Sequence, residues 1–297
     1  MDSEPRTVRT DFETGGGVRV TRTAGPFHPG QLLEISRAVD DRRGGVLSSG
    51  MEYPGRYSRW HIAYVDPCLE IVARGRRIGA RALNDRGRVL LPVIAAALER
   101  AGAPVPDLAG VTDDLALDVA VDIPEPDQSY TEEERSRRPT VFSALREVIA
   151  AFGCDDPNLG LYGAFGYDLA FQFEPVRMRL DRPASQRDLV PHLPDEVYVL
   201  DRKREQATRF RYEFTVGGAS TEGLARLTER TTPPVAPPLA ELPEQPKPGA
   251  YAQVVAQARE KFARGDLFEV VPGHVFYGRC ARPSAFFEPS SGRDEDC

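Results

Sequence analysis

The stretch "HIAYVDPCLEIVARGRRIGARALNDRG", residues 61–87, decides the fold class. It holds three β-like runs, "HIAYVDP" at 61–67, "LEIVARG" at 69–75 and "RIGARAL" at 77–83. The runs follow one another through tight turns, with no room for a crossover helix. Consecutive strands joined this way favour an antiparallel meander over parallel βαβ units. The sequence Asn84-Asp85-Arg86-Gly87 closes the stretch as a turn signal.

Working outward, the upstream residues alternate between strand and helix signals. "GGGVRVTRTAG" predicts a short strand over 18–23 entered through a glycine turn, and no G-K-[ST] follows to make a phosphate loop. "PGQLLEISRAVD" fits a helix with Pro29 in its first turn and Leu32, Leu33, Ile35 and Val39 as apolar positions. "GGVLSSG", residues 44–50, is a strand ending in small polar residues.

Downstream, "LLPVIAAALERAGAP" reads as a helix that ends at Gly102 and Pro104. Val141, Leu145, Val148, Ile149 and Phe152 form one apolar stripe of a further helix, with Thr140 as N-cap and Gly153 as stop. The charged run before it, 131–138, reads as a solvated loop or helical entry. In "NLGLYGAFGYDLAFQFE", 158–174, glycines inside a strand pattern mark close backbone approach. "DEVYVLD" and "TRFRYEFTV" read as paired strands; Phe210, Tyr212, Phe214 and Val216 alternate with polar residues along the second. The proline-rich "TTPPVAPPLAELPEQPKPG", 231–249, is a linker. It leads to an amphipathic helix over 250–264 and a strand over 267–277.

Composition excludes several classes. Of 297 residues, 41% are hydrophobic and 28% charged, a globular balance. No apolar run reaches the roughly 18–20 residues that span a bilayer, and the polar start resembles no signal or transit peptide, so no membrane partner and a cytoplasmic location are expected. A net charge of −7 argues against nucleic acid as partner. Cys68, Cys154, Cys280 and Cys297 are too scattered for a zinc site or disulfide framework, and His28, His61, His192 and His274 form no metal motif. Read by residues alone, the chain is a mixed α and β protein without a visible catalytic centre.

Five motifs in order carry a resemblance: "SSGMEYPGRYSRW" (48–60), "RRPTVFSALR" (137–146), "NLGLYGAFGYDLAFQFE" (158–174), "LPDEVYVLD" (193–201) and "RGDLFEVVPG" (264–273). Together the chain resembles the N-terminal portion of anthranilate synthase component I, the chorismate-utilising subunit, especially the bacterial form fused to a glutamine amidotransferase. The resemblance implies an α+β fold, with antiparallel β-sheets packed as a sandwich and helices outside. It divides the chain into a polar extension (1–17), an N-terminal domain (18–230), the linker (231–249), the start of a truncated chorismate-utilising domain (250–288) and a non-family tail (289–297).

The implied activity joins chorismate with ammonia from glutamine to give anthranilate and pyruvate, with Mg²⁺ as cofactor. The family's catalytic and metal-binding groups lie beyond "GDLFEVVPG", so no catalytic or metal residue is carried over, and this stretch is expected to be inactive and to bind no Mg²⁺. Codons for the last residues, "EPSSGRDEDC", can be shifted by one nucleotide to give a family-like helix. A frameshift and a genuine short paralogue are both open. The family is inhibited by tryptophan at an "L-x-S" strand end, which places Leu47, Ser48 and Ser49 at a weak tryptophan contact. Two other readings remain: a sibling chorismate enzyme (aminodeoxychorismate, isochorismate or phenazine-pathway synthase) and a non-catalytic tryptophan-binding module.

Overall fold

Strands β5 (Leu69–Arg74) and β6 (Arg77–Ala82) form the expected antiparallel hairpin, turning at Gly75, whose φ is +54°. The computed structural model describes residues 7–49, 59–101, 117–124, 139–173, 181–183, 186–228, 242–280 and 282–285. Much of the "SSGMEYPGRYSRW" motif, the charged run 131–138, the first part of the proline-rich stretch and the tail 289–297 lie outside these residues.

The meander expected over 61–83 is broken before its second strand. β4 (Trp60–Val65) does not pair with β5 but with β10 (Glu196–Asp201), while β5 pairs with β9 (Leu189–Leu193). Two neighbouring passes of the chain, β4 into β5 and β9 into β10, thus cross together from one sheet to the other. Asp66 at φ +51° turns the first pass, and the Cys68 amide donates to the Leu193 carbonyl at 3.1 Å to tie the two together.

One sheet runs β1 (Val8–Glu13), β2 (Arg19–Pro26), β11 (Gln206–Val216), β10, β4, β3 (Gly44–Ser48), with β12 (Ala219–Ser220) paired to β11. The other runs β7 (Val119–Asp122), β6, β5, β9, β8 (Tyr162–Phe165). Every pairing is antiparallel. The mixed α and β class with antiparallel sheets therefore stands.

Alternation along β11 sets its buried face: Tyr212 and Phe214 are fully buried, each worth about 1.5–3 kcal/mol of burial. They join one core with Val197 and Val199 of β10, Ile71 and Ala73 of β5, and Leu90 and Ile94 of α2 (Asp85–Arg100). The helix α2 touches β6 and β7 of one sheet and β11 and β12 of the other, so both sheets share it. Helix α3 (Val141–Ala151) packs on α2 and buries Val141, Leu145 and Val148 of the expected stripe, while Ile149 stays half exposed; the expected Thr140 cap forms and is closed reciprocally by Ser143. The opposite face of the first sheet is covered at one end by α1 (Gln31–Ala38), where Ile35 joins Phe27, Ala63 and Tyr198.

The turn expected at residues 84–87 is instead a helix start. Asn84 is the extended N-cap of α2 and its Oδ1 accepts from the Gly87 amide at 3.1 Å. A Cβ on Gly87 would stand 2.0 Å from the Cys68 carbonyl oxygen, so this glycine serves packing rather than a turn. Arg86 is fully buried at the junction of the sheets. It donates to Asp195, to the carbonyls of Thr221 (2.6 Å) and Tyr212 (2.8 Å), and lies 2.9 Å from Glu213.

The C-terminal expectations divide. Helix α4 (Ala250–Ala263) forms and ends at Gly265, with φ +79°. Residues 267–277, expected as a strand, pair with no strand among the described residues; only Gln245 holds the Tyr277 backbone, at 2.6 and 3.2 Å. An extended segment without a ladder neighbour has nothing to satisfy its amides in a sheet. No residue of α4 is buried, and Phe268 is 99% exposed.

Candidate functional site

The strand-end serines expected to contact an amino acid lie on the edge strand β3, beside β4. In an antiparallel ladder, directly opposed residues share a face. Leu47 opposes Ile62, Ile62 opposes Val199, and Val199 opposes Thr208. The adjacent row runs from Trp60 through Asp201 to Gln206. Ser49 extends it: its amide donates to the Trp60 carbonyl at 3.3 Å.

These two rows floor a cavity of about 470 Å³, walled by Trp60, Ile62, Val199, Thr208 and Phe210, with Asn158, Asp201 and Arg204 as polar groups. Its size falls within the range of small-molecule sites, about 300–1,000 Å³. Leu47 and Ser49 thus stand on the face that carries the cavity, one strand beyond the residues that line it. Ser48 points to the other face, where its Oγ lies 2.7 Å from His61 Nδ1. Of the three expected residues, two share the cavity's sheet face without lining it and the third faces away.

Trp60 is held as a wall although 42% exposed. The Arg59 guanidinium stacks 4.3 Å from its ring centroid and grips Asp201 with two nitrogens, Nη2 to Oδ2 at 2.8 Å and Nε to Oδ1 at 3.1 Å. That hydrogen bonding outweighs desolvation and holds the Asp201 carboxyl below its ordinary range. Asp201 also accepts from the amides of Lys203 and Arg204, which fixes the β10–β11 turn at the cavity mouth.

The Ser49 hydroxyl donates to the Trp60 carbonyl at 3.0 Å and accepts from the Trp60 amide at 3.3 Å. One lone pair on Oγ remains to accept a further hydrogen bond. Apolar walls with a few convergent polar groups suit a small amphipathic molecule carrying an aromatic or aliphatic body.

Sequence reasoning did not single out Trp60, Asp201 or Phe210. Their strands were legible; the β4–β10 pairing that aligns them, across a separation of more than a hundred residues, was not. Among the described residues no group of three or more His, Cys, Asp or Glu is placed to hold a metal ion. Cys68 is buried, donates to the Leu193 carbonyl at 3.0 Å, and has its thiol pKa pushed up by burial. No helix among the described residues is long and apolar enough to cross a membrane.

No family model matches the chain. Among curated proteins, an anthranilate synthase of Azospirillum brasilense is 47% identical over 282 residues, which is 93% of this chain and 37% of that protein. Anthranilate synthase component 1 of Vibrio cholerae is 26% identical, covering 82% of this chain and 47% of its own length. A pyocyanine-specific anthranilate synthase component 1 of Pseudomonas aeruginosa is 27% identical, covering 85% and 48%. The chain spans half or less of the length of each of these relatives. It is thus a relative of the anthranilate synthases along nearly all of its own length, as the five ordered motifs led one to expect.

Proposed function

We propose that the chain is the N-terminal part of an anthranilate synthase component I, the enzyme of the first committed step of tryptophan biosynthesis. The 47% identity over 93% of the chain to a protein of that name carries this reading. The relatives named above are all anthranilate synthases, which favours that product over aminodeoxychorismate or isochorismate. The activity belongs to the longer protein, in the cytoplasm, with Mg²⁺ and an amidotransferase supplying ammonia. Residues 18–230, joined by β1 (Val8–Glu13) as a further strand of the same sheet, form its N-terminal domain, and residues 250–288 begin its chorismate-utilising domain. Residues 1–297 alone turn over no chorismate. An assay with chorismate, ammonium and Mg²⁺, read by anthranilate fluorescence, tests this: no product is expected, and steady product formation contradicts it.

In the same reading the Trp60 cavity is the inhibitor site. The indole of L-tryptophan lies between Ile62, Val199 and Phe210, its ammonium on the free lone pair of Ser49 and its carboxylate toward Arg204. Support comes from Leu47 and Ser49 standing on the cavity's face. Only one side of the ligand is enclosed, so binding is weak, above about 0.1 mM, or about −5.5 kcal/mol. Calorimetry with L-tryptophan separates this from a dedicated tryptophan-binding module, which would bind at micromolar levels.

A further inference from the structure

Glu70 on β5 is the centre of a second polar group. In register it stands between Arg81 of β6 and His192 of β9. Arg81 Nη2 donates to its Oε2 at 2.7 Å and Arg43 donates to its Oε1, while Arg187 Nη1 lies 3.8 Å and His192 Nε2 3.4 Å away. One fully buried carboxylate thus faces three guanidinium groups, leaving positive charge in excess. The effect is felt at Arg43, whose pKa burial lowers first, with repulsion from Arg81 and Arg187 adding to it against the pull of Glu70.

A cavity of about 430 Å³ opens against this excess charge, walled by Arg43, Arg81, Arg88, Leu227 and Thr228, with Asn84 and one acid, Asp85, from the start of α2. It shares no lining residue with the Trp60 cavity. The acids nearby are already engaged or solvated. Asp66 accepts from Arg42 at 3.0 Å and from Thr228 at 2.7 Å, and Asp85 lies exposed, 3.7 Å from Arg88. Among the described residues, the wall's buried polar atoms that lack a partner are Arg43 Nε, Arg81 Nε and Asn84 Nδ2. All three are donors, buried behind the cavity surface. A wall with surplus positive charge, beside the positive end of a helix dipole, is complementary to an acceptor-rich anion.

We propose that this cavity binds a small, multiply charged anion, a phosphate or a dicarboxylate, between Arg43, Arg81 and Arg88. The test is calorimetric titration of the 297-residue chain with inorganic phosphate and, separately, with malonate, at ionic strength held constant with sodium chloride. Saturable one-to-one binding of either anion is expected, and the tighter of the two assigns the ligand's charged group. Leu227→Glu places a carboxylate at the cavity wall and Arg88→Ala removes one exposed guanidinium; neither touches Glu70. Each variant is expected to keep the wild-type melting midpoint in chloride and to weaken anion binding tenfold or more. Absence of saturable heat with both anions, or unchanged affinity in both variants, overturns the proposal.

Discussion

Arg86 shows how a single side chain closes the junction between two sheets. Its guanidinium, wholly buried, satisfies Asp195 and three backbone carbonyls brought from β11 and the segment after β12. Replacing it by Ala leaves Asp195 with Arg226 as its one ion-pair partner among the described residues, at 3.5 Å, in a site where burial already raises that carboxyl's pKa against the opposing pull of Arg86 and Arg226. The expected cost is about 3–5 kcal/mol, read from the urea midpoint; a loss under about 1 kcal/mol contradicts the assignment. Glu70 gives the pH counterpart. Burial would raise its pKa, but the neighbouring His192 and the charges of Arg43 and Arg81 prevail and bring it down to about 2. A carboxylate depressed in the folded state stabilises fully above its unfolded pKa, near 4.5, and loses that contribution as pH falls toward 2. Glu70→Gln should therefore flatten the fall in stability between pH 4.5 and 2, and an unchanged slope argues against a role for this carboxylate.

At the scale of elements, backbone contact explains what the glycines do. A Cβ on Gly163 of β8 would stand 2.2 Å from the Val190 carbonyl oxygen on β9. Gly163→Ala is expected to cost about 1–3 kcal/mol through forced strand separation, visible as a lower melting midpoint. A midpoint at the wild-type value would mean that β8 and β9 do not pair this closely. This glycine was legible in the sequence, as were β11's alternating face and the Thr140 cap, because each is a local signal. The 84–87 stretch was not: Asn-Asp-Arg-Gly has turn chemistry and N-cap chemistry at once, and only the packing of Gly87 on Cys68 decides between them. The meander over 61–83 failed for the complementary reason. Nothing local says that β4 and β5 pair with different partners, since that depends on β9 and β10. The same long-range pairing hid the Trp60 cavity, although a motif had named Leu47 and Ser49 on the same sheet face.

For the whole molecule, exposed apolar side chains gather in the C-terminal described residues. Val254 and Phe262 on α4 and Phe268, Val271 and Phe276 beyond it remain exposed, an apolar surface of the kind that drives association. Made alone, the chain should be poorly soluble and should self-associate as concentration rises. Phe268→Ser with Val271→Ser should reduce that association without lowering the melting midpoint, since neither side chain is buried; a large fall in midpoint would show that they pack. In the longer protein proposed above, these apolar groups are covered by the rest of the chorismate-utilising domain.

The most direct measurement joins residues 1–280 of this chain to the remaining, C-terminal part of the Azospirillum brasilense relative and follows anthranilate formation with and without L-tryptophan. The account predicts an active chimera that L-tryptophan inhibits, with inhibition weakened tenfold or more by Ser49→Ala while uninhibited activity stays the same. A folded chimera that forms no anthranilate, or one inhibited equally well with and without the Ser49 hydroxyl, would contradict it.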